Sequence, residues 1–378
     1  MPKYRFSEIA INITDKRMPT PEDKELYIAP NNLDTDTLSV PEYGYKVDLT
    51  GTKLIMHKGD MLFGRREPQL KKAAIAPHDG LFSAHGMIFH PNEKLITKEF
   101  FPFFISSDYF FDAAIRISVG SLSPTVNWKD LKDLEFTIPN LSEQREYEKI
   151  LWAIIQTKKT YKDLIYKTDE LVKSQFIEMF GDPINNQKGL PMLPLAEIAT
   201  SRLGKMLDAK KQTGLNKKPY LANYNVQWFH FELDELNEMD FDEKDQKEFE
   251  LHDGDLLVCE GGEVGRCAVW HKEISPCFFQ KAVHRVRCNP EIILPEYLAW
   301  WFKIHSEING FADVIGVSTI AHLPGVKLKA MKVTVPPIED QTGFVRLMEQ
   351  SDKSKFASSN RNLSRCLACQ KLTITNMK

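Results

Sequence analysis

No cysteine precedes Cys259, and the six present (Cys259, Cys267, Cys277, Cys288, Cys366 and Cys369) all fall in the second half of the chain. That distribution is a poor disulfide framework, so reduced thiols are expected. Long apolar runs are also missing. The greasiest stretch, EFFPFFISSDYFF, is interrupted by Pro102 and Asp108 and falls short of the roughly 18 residues of a membrane span. The N-terminus MPKYRFSEIAINITDKR has no charged segment leading into an apolar one, the mark of export, and a cytoplasmic address is the expectation. A large excess of either charge is lacking too. A formal net charge of −3 argues against a freestanding nucleic-acid binder, because neutralising phosphates takes clustered Lys and Arg.

Catalytic signatures are equally thin. The ten histidines include no HExxH pair, and there is no GxSxG elbow. GGEVGR (Gly261 to Arg266) lacks the spacing and the lysine of a GxxxxGK phosphate loop, and reads instead as a tight turn presenting Arg266. CLAC (Cys366 to Cys369) has the gap of a zinc or redox pair, but no second pair lies near it and it falls on an expected helix. The Asn/Asp-Pro-Pro-aromatic tetrapeptide of a flipped-adenine methylase is absent. No metal or catalytic site is expected.

What the chain does contain is a repeat. FTIPNLSEQ (Phe136 to Gln144) returns as VTVPPIEDQ (Val333 to Gln341), with Pro139 and Pro336 separated by the same 197 positions as Gln144 and Gln341. Upstream, HKGDMLFGRRE matches LHDGDLLVCEGGEVGR around a shared Gly-Asp, and YRFSEIA matches LPLAEIA. The blocks keep their order. A period this long marks a duplicated domain and not a solenoid, consistent with 378 residues being too many for one core.

Each copy divides into a strand-rich part and a helical tail. TKLIMH, GMIFH, DLLVC and HRVRC are short apolar or alternating runs between turn residues, and predict strands. FFPFFISSDYFFDAAI and PEYLAWWFKIHSEI predict helices. After a cap at Asn140 or Ser142 the chain runs to Phe180 without Gly or Pro, which predicts a helix of about 36 residues and about 54 Å. Leu151, Ile154, Tyr161, Ile165 and Val172 recur on it at three-four spacing, so it is expected to pack against another helix, the weaker segment from Glu339 onward. The expected architecture is α+β, with two duplicated mixed α/β domains at 1–140 and 188–338. Helical spacers at 141–187 and 339–378 would pair as an antiparallel coiled coil with pseudo-twofold symmetry.

Two similar heads on a spacer suit the reading of two half-sites on one duplex. A duplicated protein-binding scaffold without DNA readout fits the same geometry. For DNA, the side chains that base edges and phosphates favour are Arg, Asn, Gln and Lys. The first head offers Arg65, Arg66, Lys71 and Lys72 in FGRREPQLKKAA, with Ser83 and His85 in SAHG. The second offers Lys205, Lys210 and Lys211 in a basic stretch, Asn223, Asn225 and Gln227 in LANYNVQW, then Arg266, and Gln280, Lys281, His284 and Arg285 in FQKAVHRVR. That basic stretch, residues 202–218, faces an acidic one at 232–255, and two solvated faces of one domain would also explain the contrast. Asn223 and Asn225 could equally cap a turn, and Trp228 could be core.

The ordered set of blocks resembles the specificity subunit of type I restriction-modification systems. The likeness rests on the two EIA openings, the IPNLSEQ and VPPIEDQ closings, the helix ending KSQFIEMFGDP and a second helical region at the C-terminus. The resemblance implies two target-recognition domains and a non-catalytic chain selecting a bipartite, gapped DNA target. Two modification subunits would bring S-adenosylmethionine, and two restriction subunits would bring ATP and Mg; this chain would bind no cofactor. The polar, Ser/Asn-rich SSNRNLS departs from the pattern and weakens the case for pairing by the C-terminal helix.

Overall fold

The computed structural model describes residues 2–46, 48–208, 212–312 and 322–351. They fall into two compact units, the first ending at Ile165 and the second beginning at Tyr166.

In the first unit a four-stranded antiparallel sheet runs in the order Ala10–Ile13, Gly86–Pro91, Met61–Gly64, Ala73–Ile75. All four residues of Met61–Gly64 are buried, because the sheet is covered on both faces. The period of two sorts its side chains. Phe63, Phe89, Met87 and Ala73 enter a phenylalanine-rich core with the helices Phe101–Ser106 and Asp108–Arg116. Leu62, Ile88 and Ala74 point the other way, into a smaller core with Ile28, Leu54 and Phe82. A three-stranded sheet of Lys16–Arg17, Lys53–Met56 and Gly80–Phe82 lies on that side. The single predicted helix through FFPFFISSDYFFDAAI is broken at Ser107, whose backbone is extended and whose hydroxyl caps Phe110 N at 3.2 Å.

The second unit repeats this plan. Its four-stranded sheet has the order Ala199–Leu203, Val283–Cys288, Asp255–Cys259, Cys267–Val269. Leu256, Val258 and Val286 face one core with the helix Pro295–Glu307, and Leu257, Cys259 and Val283 face another. A three-stranded sheet follows, Asn237–Asp240, Lys217–Leu221 and Phe278–Phe279. Each unit is closed by an antiparallel pair joining its first strand to its last, Lys3–Arg5 to Glu135–Thr137 and Met192–Pro194 to Lys332–Thr334. The runs predicted as strands are strands.

The predicted central helix spans Leu141–Phe180, 40 residues. Asn140 caps it: its Oδ1 accepts from Ser142 N and Glu143 N, both at 3.0 Å, and Glu143 accepts from Asn140 N at 2.9 Å. Its apolar positions do not form one continuous seam. Leu151 and Ile155 belong to the core of the first unit, Val172, Phe176 and Phe180 to that of the second, while Leu164, Ile165 and Tyr166 between them are exposed. Each end is a wall of a head as well as a connection. Residues 338–351 are helical; the pairing expected of the C-terminal segment, and Cys366 and Cys369 with it, lie outside the described residues. Cys259, Cys267, Cys277 and Cys288 are free thiols. Burial pushes Cys259 up to about 11 and Cys277 and Cys288 up to about 12, so they are inert at neutral pH.

Candidate nucleic-acid interface

In the first head an open groove of about 520 Å³ is lined by Lys53, Arg66, Lys72, Ser83 and His85, with Tyr27, Asn31 and Tyr45 among its other walls. Four of the sequence-named residues are thus brought together. Ser83 and His85 belong to the turn Ser83 to Gly86. Gly86 N donates to Ser83 O at 3.0 Å, and His85 N donates to Ser83 Oγ at 3.2 Å, which turns Ala84 and His85 outward. Only glycine fits at 86, since a Cβ there would enter the Phe82 ring. Ser83 itself is buried and its hydroxyl also pairs with Tyr27. It positions the turn from the floor of the groove.

Electrostatics sets the character of this groove. Partial burial, then the positive charges of Arg66, Arg65 and Lys53, push the His85 imidazole below its ordinary range. The cations that depress it are what suit the groove to an anionic partner. Arg65 and Lys71 are less available: Arg65 reaches Asn127 at 3.4 Å, and Lys71 is paired with Asp108. Glu67 and Lys71 both adopt left-handed backbone, at φ 50° and 48°, and so fold the arginine loop back over Pro68 to Leu70. Lys53 was not singled out from the sequence, being the first residue of an ordinary-looking strand.

In the second head most of the sequence-named polar groups are occupied internally. Asn225 is buried; its Oδ1 accepts from Ala222 N at 2.9 Å and its Nδ2 donates to Glu232 O at 2.9 Å. His284 is buried against Leu323 O at 3.0 Å, and burial lowers its pKa. Neither presents an atom to a base, because an alternate strand position and a cap both point inward; these two hold the fold. Arg285 donates to Glu248 O at 2.9 Å and lies over the Phe279 ring. Lys205 is held by Asp245 and by the Asp240 carbonyl. Arg266 is not presented by its turn as expected. Its side chain is 16% exposed and folds back onto Asn223, donating to the Asn223 carbonyl and to Oδ1, both at 3.0 Å. Asn223 in turn donates to Gly261 O at 2.7 Å. Trp228 is half-buried, its indole nitrogen bonded to Glu263. Gln227, whose amide donates to Tyr224 O at 2.8 Å, and Gln280 are half-buried, and Lys281 is exposed. Lys210 and Lys211 lie outside the described residues.

The two heads match at this surface residue by residue. Gln280 to Val283 occupies the place of Ser83 to Gly86, joining the small sheet to the central one. Val283 N donates to Gln280 O at 3.2 Å, and Gln280 N to Leu221 O at 3.0 Å, as Ser83 N does to Ile28 O at 3.0 Å. The segment before it is duplicated too. YIAPNN (Tyr27 to Asn32) and YLANYN (Tyr220 to Asn225) both form a short 3-10 turn, and Asn32 Oδ1 accepts from Ala29 N at 2.8 Å just as Asn225 Oδ1 does from Ala222 N. The shared pattern Tyr-x-Ala-x-x-Asn was there to be read, and it would have marked Asn225 as a cap.

A family model described as type I restriction modification DNA specificity domain matches residues 27–166 and again 196–365. The chain belongs to this family. The EcoKI specificity subunit of Escherichia coli strain K12 is 23% identical over 296 residues, covering 72% of this chain and 62% of that protein. The EcoDI specificity subunit of Escherichia coli is 26% identical over 144 residues, covering 38% of this chain and 32% of that one. The matches therefore span less than two thirds of those relatives. Among solved structures, the S subunit of a type I restriction-modification system from M. genitalium aligns over 100% of this chain and 95% of its own, with TM-score 0.56 and 14% identity. A structure from work on complex assembly and conformational transition of the type I R-M system aligns over 100% and 97%, with TM-score 0.53 and 16% identity. Those two likenesses concern the fold. Among the described residues no helix is long and apolar enough to cross a membrane, and no cluster of His, Cys, Asp or Glu is placed to hold a metal ion.

Proposed function

We propose that this chain is the DNA sequence-specificity subunit of a type I restriction-modification complex in the cytoplasm. It selects a bipartite, gapped duplex target, one half-site per head, and recruits two modification subunits that methylate adenine; two restriction subunits join where cleavage occurs. S-adenosylmethionine, ATP and Mg belong to those partners. The observation that carries the reading is a shared framework used twice under unlike surfaces. Tyr27 and Tyr220, Asn32 and Asn225, Asp60 and Asp255, and Gln144 and Gln341 are the same residues in equivalent places, whereas the turn tips carry Ala84 and His85 in one head and Lys281 and Ala282 in the other. Two copies of one scaffold with different tips suit an asymmetric target.

Sequencing the methylated positions in a host that carries this chain and its modification partner tests the proposal. A gapped asymmetric motif is expected, and exchanging residues 1–140 for another head changes one half of it. An ungapped palindrome overturns the gapped, bipartite reading, and no retardation of random duplex DNA with the partner present overturns DNA readout in favour of a protein-binding scaffold. The gap is proposed to depend on the helix Leu141–Phe180. Four residues inserted there add about 6 Å of rise and lengthen the gap by about one or two base pairs.

A further inference from the structure

The duplication locates one surface position in each head that no motif marked, Asn31 in the first and Tyr224 in the second. In the YIAPNN turn the cap Asn32 is tied to the backbone, and the residue before it, Asn31, is exposed in the groove with His85. In the YLANYN turn the cap Asn225 is buried, and the residue before it, Tyr224, is 52% exposed. The turn carrying Asn31 is stitched to the His85 turn by Ser83 N to Ile28 O, and the turn carrying Tyr224 to the Lys281 turn by Gln280 N to Leu221 O. Asn31 and Tyr224 share position and framework and differ in side chain; on the second turn the exposed residues His85 and Lys281 stand one position apart, opposite Ala282 and Ala84.

We infer that these two stitched turns are the specificity determinants of each head, with Asn31 and His85 reading the first half-site and Tyr224 and Lys281 the second. The inference rests on the DNA-specificity reading and adds to it the residues that discriminate. The chemistry is appropriate to base edges. An Asn amide can both donate and accept, as adenine's major-groove edge requires, and a neutral imidazole does likewise, whereas Lys and Tyr meet acceptors and the thymine methyl. A rigid support is also present, since Phe82 and Phe279, fully buried, lie directly before the two turns. Asn237 Nδ2 donates to the Tyr224 hydroxyl at 2.7 Å and so aims that ring.

The test uses the complete modification complex and a panel of duplexes carrying every single-base change in each half-site. Asn31→Ala and His85→Ala are expected to reduce discrimination about 10-fold to 100-fold at one or more positions of the first half only. Tyr224→Ala and Lys281→Ala do the same in the second half. The controls Asn32→Ala and Asn225→Ala lower the melting temperature and leave the motif as it is. An equal loss of affinity on every duplex, with discrimination retained, marks these side chains as backbone contacts and overturns the inference, as does unchanged binding. If the unaltered complex itself shows no gapped preference, it is the DNA-specificity reading that fails.

Discussion

The side-chain amides of Gln144 and Gln341 make the same three hydrogen bonds, one set in each head. Gln144 accepts from Thr97 N at 2.7 Å and donates to Leu95 O at 2.9 Å and Pro139 O at 2.8 Å. Gln341 accepts from Leu294 N at 2.9 Å and donates to Ile292 O at 2.9 Å and Pro336 O at 2.8 Å. Both are fully buried. Each therefore fastens the first turn of a helix to the proline turn before it and to the segment that follows the central strand. Replacing either by Ala leaves three backbone groups without partners. A loss of about 3 kcal/mol is expected, read as a lower midpoint in chemical denaturation. Gln→Glu is expected to be nearly as damaging, since a carboxylate cannot donate to two carbonyls. A silent substitution at one site and a costly one at the other would contradict the equivalence of the two junctions.

Acid should act on the second head through Asp240. Burial by itself would raise this carboxyl, but the N–H groups of Gly214 and Asn216 and the hydroxyl and N–H of Thr213 hold it below the ordinary range. A carboxyl whose folded pKa lies below its unfolded value adds stability that is complete above the unfolded value, about pH 4, and is lost as pH falls through the folded one. Asp240→Asn is thus expected to lower the melting temperature at pH 7 and to flatten its fall as pH drops below about 4. An unaltered acid profile in the variant would exclude Asp240 as the sensitive group.

Much of the fold was legible in the sequence because duplication repeats the signal. DLLVC and GMIFH are short apolar runs whose period of two survives burial on both faces, and the helix from Asn140 to Phe180 has a cap, no Gly or Pro, and a GDP stop. The central helix has a second role that its spacing did not announce. Its three-four apolar spacing suggested a helical partner, a pairing that lies outside the described residues, and Leu151 and Val172 on that stripe enter the cores of the two heads. The site was less legible for a physical reason. Polar residue type does not say whether a side chain faces solvent or closes a turn, and Asn225, His284 and Arg266 proved to be inward partners, while the exposed Asn31 sat beside an unremarkable cap.

Lys53 and Arg66 supply the test of the groove's charge. Both line it, and both contribute to the depression of the His85 imidazole. If they meet phosphates, Lys53→Ala and Arg66→Ala each weaken binding about equally for all sequences and reduce the slope of log K against log salt by about one. The methylated motif is expected to stay the same. A changed motif with an unchanged slope would make either residue a base reader.

Asp60 and Asp255 show the duplication with its partner changed. Each is the Asp of the shared Gly-Asp, each is about 1% exposed, and each accepts from the backbone N–H three residues earlier, His57 at 2.8 Å and His252 at 2.7 Å. The cross-strand neighbour differs. Asp255 is held by Arg287 through two parallel bonds of 2.7 Å, and Asp60 faces His90, whose Nε2 lies 2.5 Å from Oδ1. The guanidinium fork gives Asp255 two charge-assisted bonds, whereas Asp60 Oδ1 has no hydrogen-bond partner and His90 meets it only as a close contact. Arg287→Ala strands a buried carboxylate, which commonly costs about 3 to 5 kcal/mol, and the partial exposure of the arginine reduces the expectation to about 2 kcal/mol. His90→Ala should cost less. His90→Arg, which copies the second head's arrangement into the first, is expected to raise stability by about 1 kcal/mol or less. Denaturation midpoints of the three variants check the order. If His90→Arg destabilises the protein, the two strands are not equivalent at this position, and the register on which the residue-by-residue match of the heads depends is wrong there.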